Sequence, residues 1–144
     1  MMAMAVRLAE QHAHGEDNYV MARILIIDDN APMRHMLRQA LEWAGYEVVE
    51  AADGRAGVQL QHAMPADVII SDILMPEQEG LATIQELRHA FPTTKIIAIS
   101  GGGHIGNCNF LTIAARLGAQ RALQKPFGLQ EMFNAVQEML QPQD

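Results

Sequence analysis

Ile24-Leu25-Ile26-Ile27-Asp28-Asp29 sets the pattern for the chain: a short apolar run that stops on acid. Three more stretches repeat it with other polar stops. Val68-Ile69-Ile70-Ser71 ends on Asp72, Ile96-Ile97-Ala98-Ile99 ends on Ser100, and Ala122-Leu123-Gln124 ends on Lys125-Pro126. Short apolar runs bounded by turn signals suit parallel strands buried on both faces. If these runs share one parallel sheet, their polar ends gather along one edge. That edge is where open α/β sheets bind ligands. Three carboxylates, one hydroxyl and one ammonium then meet in a single crevice.

The segments between the runs carry helical spacing. Met33, Met36, Leu37, Ala40, Leu41 and Ala44 predict a helix over Ala31–Trp43, with Asn30 as its cap, Pro32 in its first turn and Gly45 as its stop. Tyr46–Glu50 reads as a second strand. Asp53-Gly54 turns the chain into a helix over Arg55–Ala63, which Pro65 ends. Asp67–Ser71 is the third strand, and Leu81, Ile84, Leu87 and Phe91 mark a third helix. Thr94–Ile99 follows as strand four. Gly101-Gly102-Gly103 reads as a mobile loop before a helix over Asn109–Leu117, closed by Gly118. Arg121–Gln124 is the fifth strand, and Leu129, Met132, Phe133, Val136, Met139 and Leu140 share one face of a last helix. Five strand–helix units with right-handed crossovers predict an α/β, flavodoxin-like (βα)5 fold. Its doubly wound parallel sheet would have strand order 2-1-3-4-5.

Composition narrows the function classes. The chain has 144 residues and a net charge of −7. A mildly acidic domain gains nothing from the phosphate backbone, so no direct DNA binding is expected. No stretch approaches the roughly 18 uninterrupted apolar residues of a membrane span, so no membrane insertion is expected. The lone Cys108 has no intramolecular disulfide partner, which fits a cytoplasmic setting, and it reads as a small residue on a helix face. Residues 1–22 stand apart. Arg7, Glu10 and Gln11 interrupt any apolar core of a secretory signal, and Met21-Ala22-Arg23 looks like a start of translation. Residues 1–22 are therefore expected to be a dispensable extension, and 23–144 the functional domain.

The polar stops suggest a chemistry. Carboxylates crowded into one crevice repel, so one of them holds a proton or a cation sits between them. A hard divalent cation such as Mg²⁺ resolves the conflict, since it takes oxygen ligands and is commonly completed by phosphate. One carboxylate can then attack phosphorus and form an acyl phosphate. Spread negative charge on the transferring group calls for positioning and cations, which Lys125 can supply, with the Ser100 hydroxyl as donor. Gly101-Gly102-Gly103-His104-Ile105-Gly106 lacks the Gly-Lys-Ser/Thr ending of a P-loop and follows the fourth strand, not the first. It reads as a flexible hinge instead.

Asp28-Asp29 after a strand, Asp72 followed by Met75-Pro76 and Gly80, Ser100, and Lys125-Pro126-Phe127 together resemble the receiver domain of bacterial response regulators. The resemblance covers Arg23–Leu140. It implies that Asp72 is the phosphoacceptor, that Asp29 ligates Mg²⁺ directly and Asp28 largely through water, and that the main-chain carbonyl of Leu74 is a further ligand. It also implies that Lys125 pairs with the carboxylate or phosphoryl group, that its bond to Pro126 is cis, and that Ser100 moves toward the phosphoryl group. The implied partners are a histidine kinase or histidine phosphotransfer protein as donor, and a downstream protein target. With no output domain expected after Leu140, the chain reads as a stand-alone switch. The competing enzyme-class reading is a small phosphohydrolase with an aspartyl-phosphate intermediate. Such enzymes place an acid two residues after the nucleophile, where this chain has Leu74.

Two positions depart from the family's common pattern. Ala122 stands where many members carry an aromatic residue that rotates on activation, so coupling is expected through Ser100 and the Gly-rich loop. Leu74 and Gly102 offer no side chain to orient an attacking water, so no accelerated self-hydrolysis is expected.

Overall fold

A computed structural model describes residues 21–73, 79–101, 104–105 and 108–142. The chain alternates strand and helix: β1 (Arg23–Ile27), α1 (Ala31–Trp43), β2 (Glu47–Ala51), α2 (Gly54–Ala63), β3 (Val68–Asp72), α3 (Glu79–Ala90) and β4 (Lys95–Ser100). There follow β5 (His104–Ile105), β6 (Cys108–Asn109), α4 (Phe110–Leu117), β7 (Arg121–Gln124) and α5 (Leu129–Leu140). The main sheet has five strands in the order β2-β1-β3-β4-β7, all parallel. That is the expected 2-1-3-4-5 arrangement, with β7 as the fifth strand.

The period-two alternation of a strand sorts its side chains to opposite faces. Ile24 and Ile26 of β1 join Leu37 and Leu41 of α1 and Phe133 and Val136 of α5 on one side of the sheet. Leu25 and Ile27 join Val58 of α2, Ile84 and Leu87 of α3 and Ala114 of α4 on the other. Both faces of β1 are thereby sealed, which is why its sequence shows no polar alternation. Each fully buried Ile or Leu contributes roughly 1.5–3 kcal/mol of transfer free energy.

Helix starts follow local chemistry. The Asn30 side chain accepts from the Met33 amide, and Asp53 does the same for Ala56, so one orphan donor in each first turn finds a partner. Gly45, at φ 99°, takes the left-handed conformation that ends α1.

Strands two, three and four each run one residue further toward their carboxyl ends than the apolar pattern suggests. The ladder continues past the last apolar side chain, pairing Asp72 with Ile99 and Ser100 with Gln124. The stretch expected as a mobile loop contains a two-residue antiparallel pairing, His104 opposite Asn109 and Ile105 opposite Cys108. Cys108 therefore lies on a strand, not a helix face, and α4 begins at Phe110. A ladder so short leaves no alternation in the sequence, and the flanking glycines argue for a loop. Gly102 and Gly103, like residues 1–20, lie outside the described residues.

Candidate functional site

The carboxyl ends of β1, β3, β4 and β7 converge, and the polar stops converge with them. Asp28 and Asp72 are 1% and 4% exposed, while Asp29 stands open to solvent. One carboxylate oxygen from each of the three lies within 4.8 Å of the others. Lys125 Nζ stands 3.3 Å from Asp72 Oδ2 and 4.0 Å from Asp28 Oδ2. Ser100 is fully buried at the end of β4, and its carbonyl accepts from the Lys125 amide at 2.6 Å. The Lys125–Pro126 bond is cis, as the resemblance implies.

Local hydrogen bonds hold Asp28. Its amide donates to Ala51 O at 3.1 Å, its Oδ1 accepts from the Asn30 amide at 2.8 Å, and its carbonyl accepts from Arg34 Nη1 at 2.7 Å. Only Oδ2 is left, buried and without a hydrogen bond. Burial pushes the Asp28 carboxyl up to about 6; the Asn30 amide opposes the rise and the charge of Asp72 adds to it. An ionised acid with an orphaned oxygen beside two more carboxylates is an environment short of positive charge. A hard, oxygen-seeking divalent cation fits that donor set. The Leu74 carbonyl, the fourth ligand the resemblance implies, lies outside the described residues, as does Gly102.

Two features of the site escaped the sequence reading. Arg34 occupies the inward side of α1 with Leu37 and Leu41, while Met36, expected there, is 43% exposed. An arginine three and seven residues before two buried leucines is the signal that was available. The second is the seating of α3. A methyl group on Gly80 would stand 2.4 Å from Ile73 Cα, so the helix rests directly on the backbone that follows Asp72. Ala122 sits on β7 opposite Ala98, so neither strand presents an aromatic ring there.

The comparisons with known proteins agree with this geometry. The model of the response regulator receiver domain matches residues 24–137. A chemotaxis protein CheY of Thermotoga maritima is 36% identical over 118 residues, which is 81% of this chain and 96% of that protein. The sensor kinase CckA of Brucella abortus is 34% identical over 125 residues, where the chain spans 13% of the kinase's length. The solved structure of chemotaxis response regulator CheY4 of Vibrio cholerae superposes with a TM-score of 0.74 at 31% identity, covering 84% of this chain and 100% of that one. The match begins on the first strand and runs through most of the last helix, so the chain belongs to the response regulator receiver domain family.

Proposed function

We propose that this receiver domain, a component of two-component signalling, carries its message as a phosphoryl group on Asp72. The observation that supports the reading best is the pairing of Lys125 Nζ with buried Asp72 at 3.3 Å, within a cluster of three carboxylates whose oxygens lie within 4.8 Å of one another. An oxygen of Asp72 attacks the phosphorus of a phosphohistidine on a histidine kinase or phosphotransfer protein. The new O–P bond forms as the N–P bond breaks, and the imidazole nitrogen leaves with the electron pair. Asp28, Asp29 and Asp72 would hold Mg²⁺, which supplies charge neutralisation at the phosphoryl oxygens. Lys125 orients the carboxylate before transfer and pairs with the phosphoryl group after it. The Ser100 hydroxyl donates to a phosphoryl oxygen and so reports its arrival.

Phosphorylation then shifts the population between two conformations of α4 and β7, and partner binding follows that shift. With Ala122 on β7, coupling runs through Ser100 and the segment after it, and the signal passes to a protein target. Among the described residues no helix is long and apolar enough to cross a membrane.

Labelling by radioactive acetyl phosphate tests the assignment. Wild type should take up one phosphoryl group per chain in a Mg²⁺-dependent manner, and Asp72→Asn should take up none. Equal labelling of the two proteins would remove Asp72 from its role. Sustained turnover of a phosphomonoester would point to a phosphohydrolase instead.

A further inference from the structure

We infer that Arg34 is a positioning residue for the carboxylate cluster, aiming the one open oxygen of Asp28 at the bound cation. The inference rests on the reading of that cluster as a divalent-cation site. Arg34 spans two anchors. Its Nη1 donates to the Asp28 carbonyl at 2.7 Å, and its Nε donates to Glu50 Oε1 at 3.0 Å. Glu50 lies on β2 and is held in turn by Arg38 Nη1 at 2.7 Å. Both Arg34 and Glu50 are largely buried, with 14% and 16% of their side chains exposed.

The guanidinium thus ties the end of β1 to β2 and to the first turns of α1. Together with Ala51 O and the Asn30 amide it engages three of the four polar atoms of Asp28. Rotation of the Asp28 peptide would break the Arg34 bond, and rotation of its carboxylate would break the Asn30 bond. Oδ2 is the atom that remains, without a hydrogen bond and 4.0 Å from Lys125 Nζ, which pairs with Asp72. Glu50 has a second effect. Hydrogen bonds from Arg38 and Arg34 outweigh its burial and keep its carboxyl below the usual range, so it stays ionised and offsets the Arg34 charge near the cation.

Positioning and simple electrostatics predict opposite signs. A guanidinium close to a metal repels it, so loss of the charge alone would tighten binding. Loss of an outer-shell support weakens it, by about tenfold to a hundredfold in metal sites generally. The experiment is calorimetric titration of Mg²⁺ into the full chain without phosphoryl donor, at about pH 8, above the Asp28 titration. Arg34→Ala, shown folded by circular dichroism, should bind Mg²⁺ about tenfold or more weakly than wild type.

Arg34→Lys keeps the stem and the charge but cannot donate along two fixed directions, so it should also bind more weakly. It decides the question should the alanine variant fail to fold. Wild-type or tighter affinity in a folded Arg34 variant would overturn the inference. If wild type itself bound no Mg²⁺, the cation-site reading would fall first, which separates the two failures.

Discussion

At the amino-terminal ends of the strands, polar groups find partners of their own: even Arg23 Nε, buried without a hydrogen bond, lies 3.2 Å from Glu47 Oε2. Gln61 donates to Ala66 O at 3.1 Å and accepts from the Ala66 amide at 2.9 Å. Arg88 donates to Gly118 O, Phe91 O, Pro92 O and Gln120 Oε1, and Gln120 Oε1 also takes the Ile96 amide. At the carboxyl ends, the same sheet buries two acids beside a third and leaves Asp28 Oδ2 unmatched. One edge is arranged for stability. The other keeps a destabilising charge cluster that a proton or a cation relieves, which is the mark of a site whose function conflicts with folding.

The largest test of this contrast is the pH dependence of the cation-free protein. The Asp28 carboxyl rises from 3.8 to about 6 on folding. The native state therefore holds that proton more tightly, and the associated stability is present below about 3.8 and lost as pH rises through about 6. At 1.36 kcal/mol per pKa unit the whole effect is about 3 kcal/mol. Asp28→Asn should thus be more stable than wild type at neutral pH, with the gap closing as the pH falls toward about 4 and closing equally under saturating Mg²⁺. Urea unfolding of the two proteins across the pH range measures the gap; a gap independent of pH would show that the Asp28 charge carries no penalty.

Next in size is the opposite edge. Arg88→Ala leaves the carbonyls of Gly118, Phe91 and Pro92 without that donor, and should cost about 2 kcal/mol while leaving Mg²⁺ affinity unchanged. A shift in Mg²⁺ affinity would mean that the two edges are coupled, and the division drawn here would not hold.

The smallest effect sharpens the comparison from within the carboxyl edge. Asp53 also follows a strand there, but its Oδ1 accepts from the Ala56 amide at 2.8 Å at the start of α2. Asp53→Ala should destabilise by about 1 kcal/mol, the reverse of the sign expected for Asp28→Asn. Thermal unfolding resolves both. The same residue type at the same edge stabilises or destabilises according to its partners.

The sequence made the strand order and the gathering of Asp28, Asp29, Asp72, Ser100 and Lys125 legible, because buried parallel strands need unbroken apolar runs and their polar ends are then conspicuous. It carried a spacing signal that puts Arg34 on the leucine side of α1 but none for its acceptor, and it was silent on Arg88. Both act through backbone carbonyls, at 2.7 Å from Asp28 O six residues away and 2.8 Å from Gly118 O thirty residues away, and no spacing rule encodes a carbonyl acceptor. The β5–β6 pairing was hidden for another reason: two residues per strand are too few for a period to show.

The seat of Gly80 on the Ile73 backbone has a mechanical meaning. No side chain lies between them to act as a cushion, whereas Gly54 of α2 makes room for the Thr83 side chain of α3. A displacement of the Ile73 backbone, next to Asp72, would bear directly on Gly80 at the start of α3, with nothing between them to absorb it.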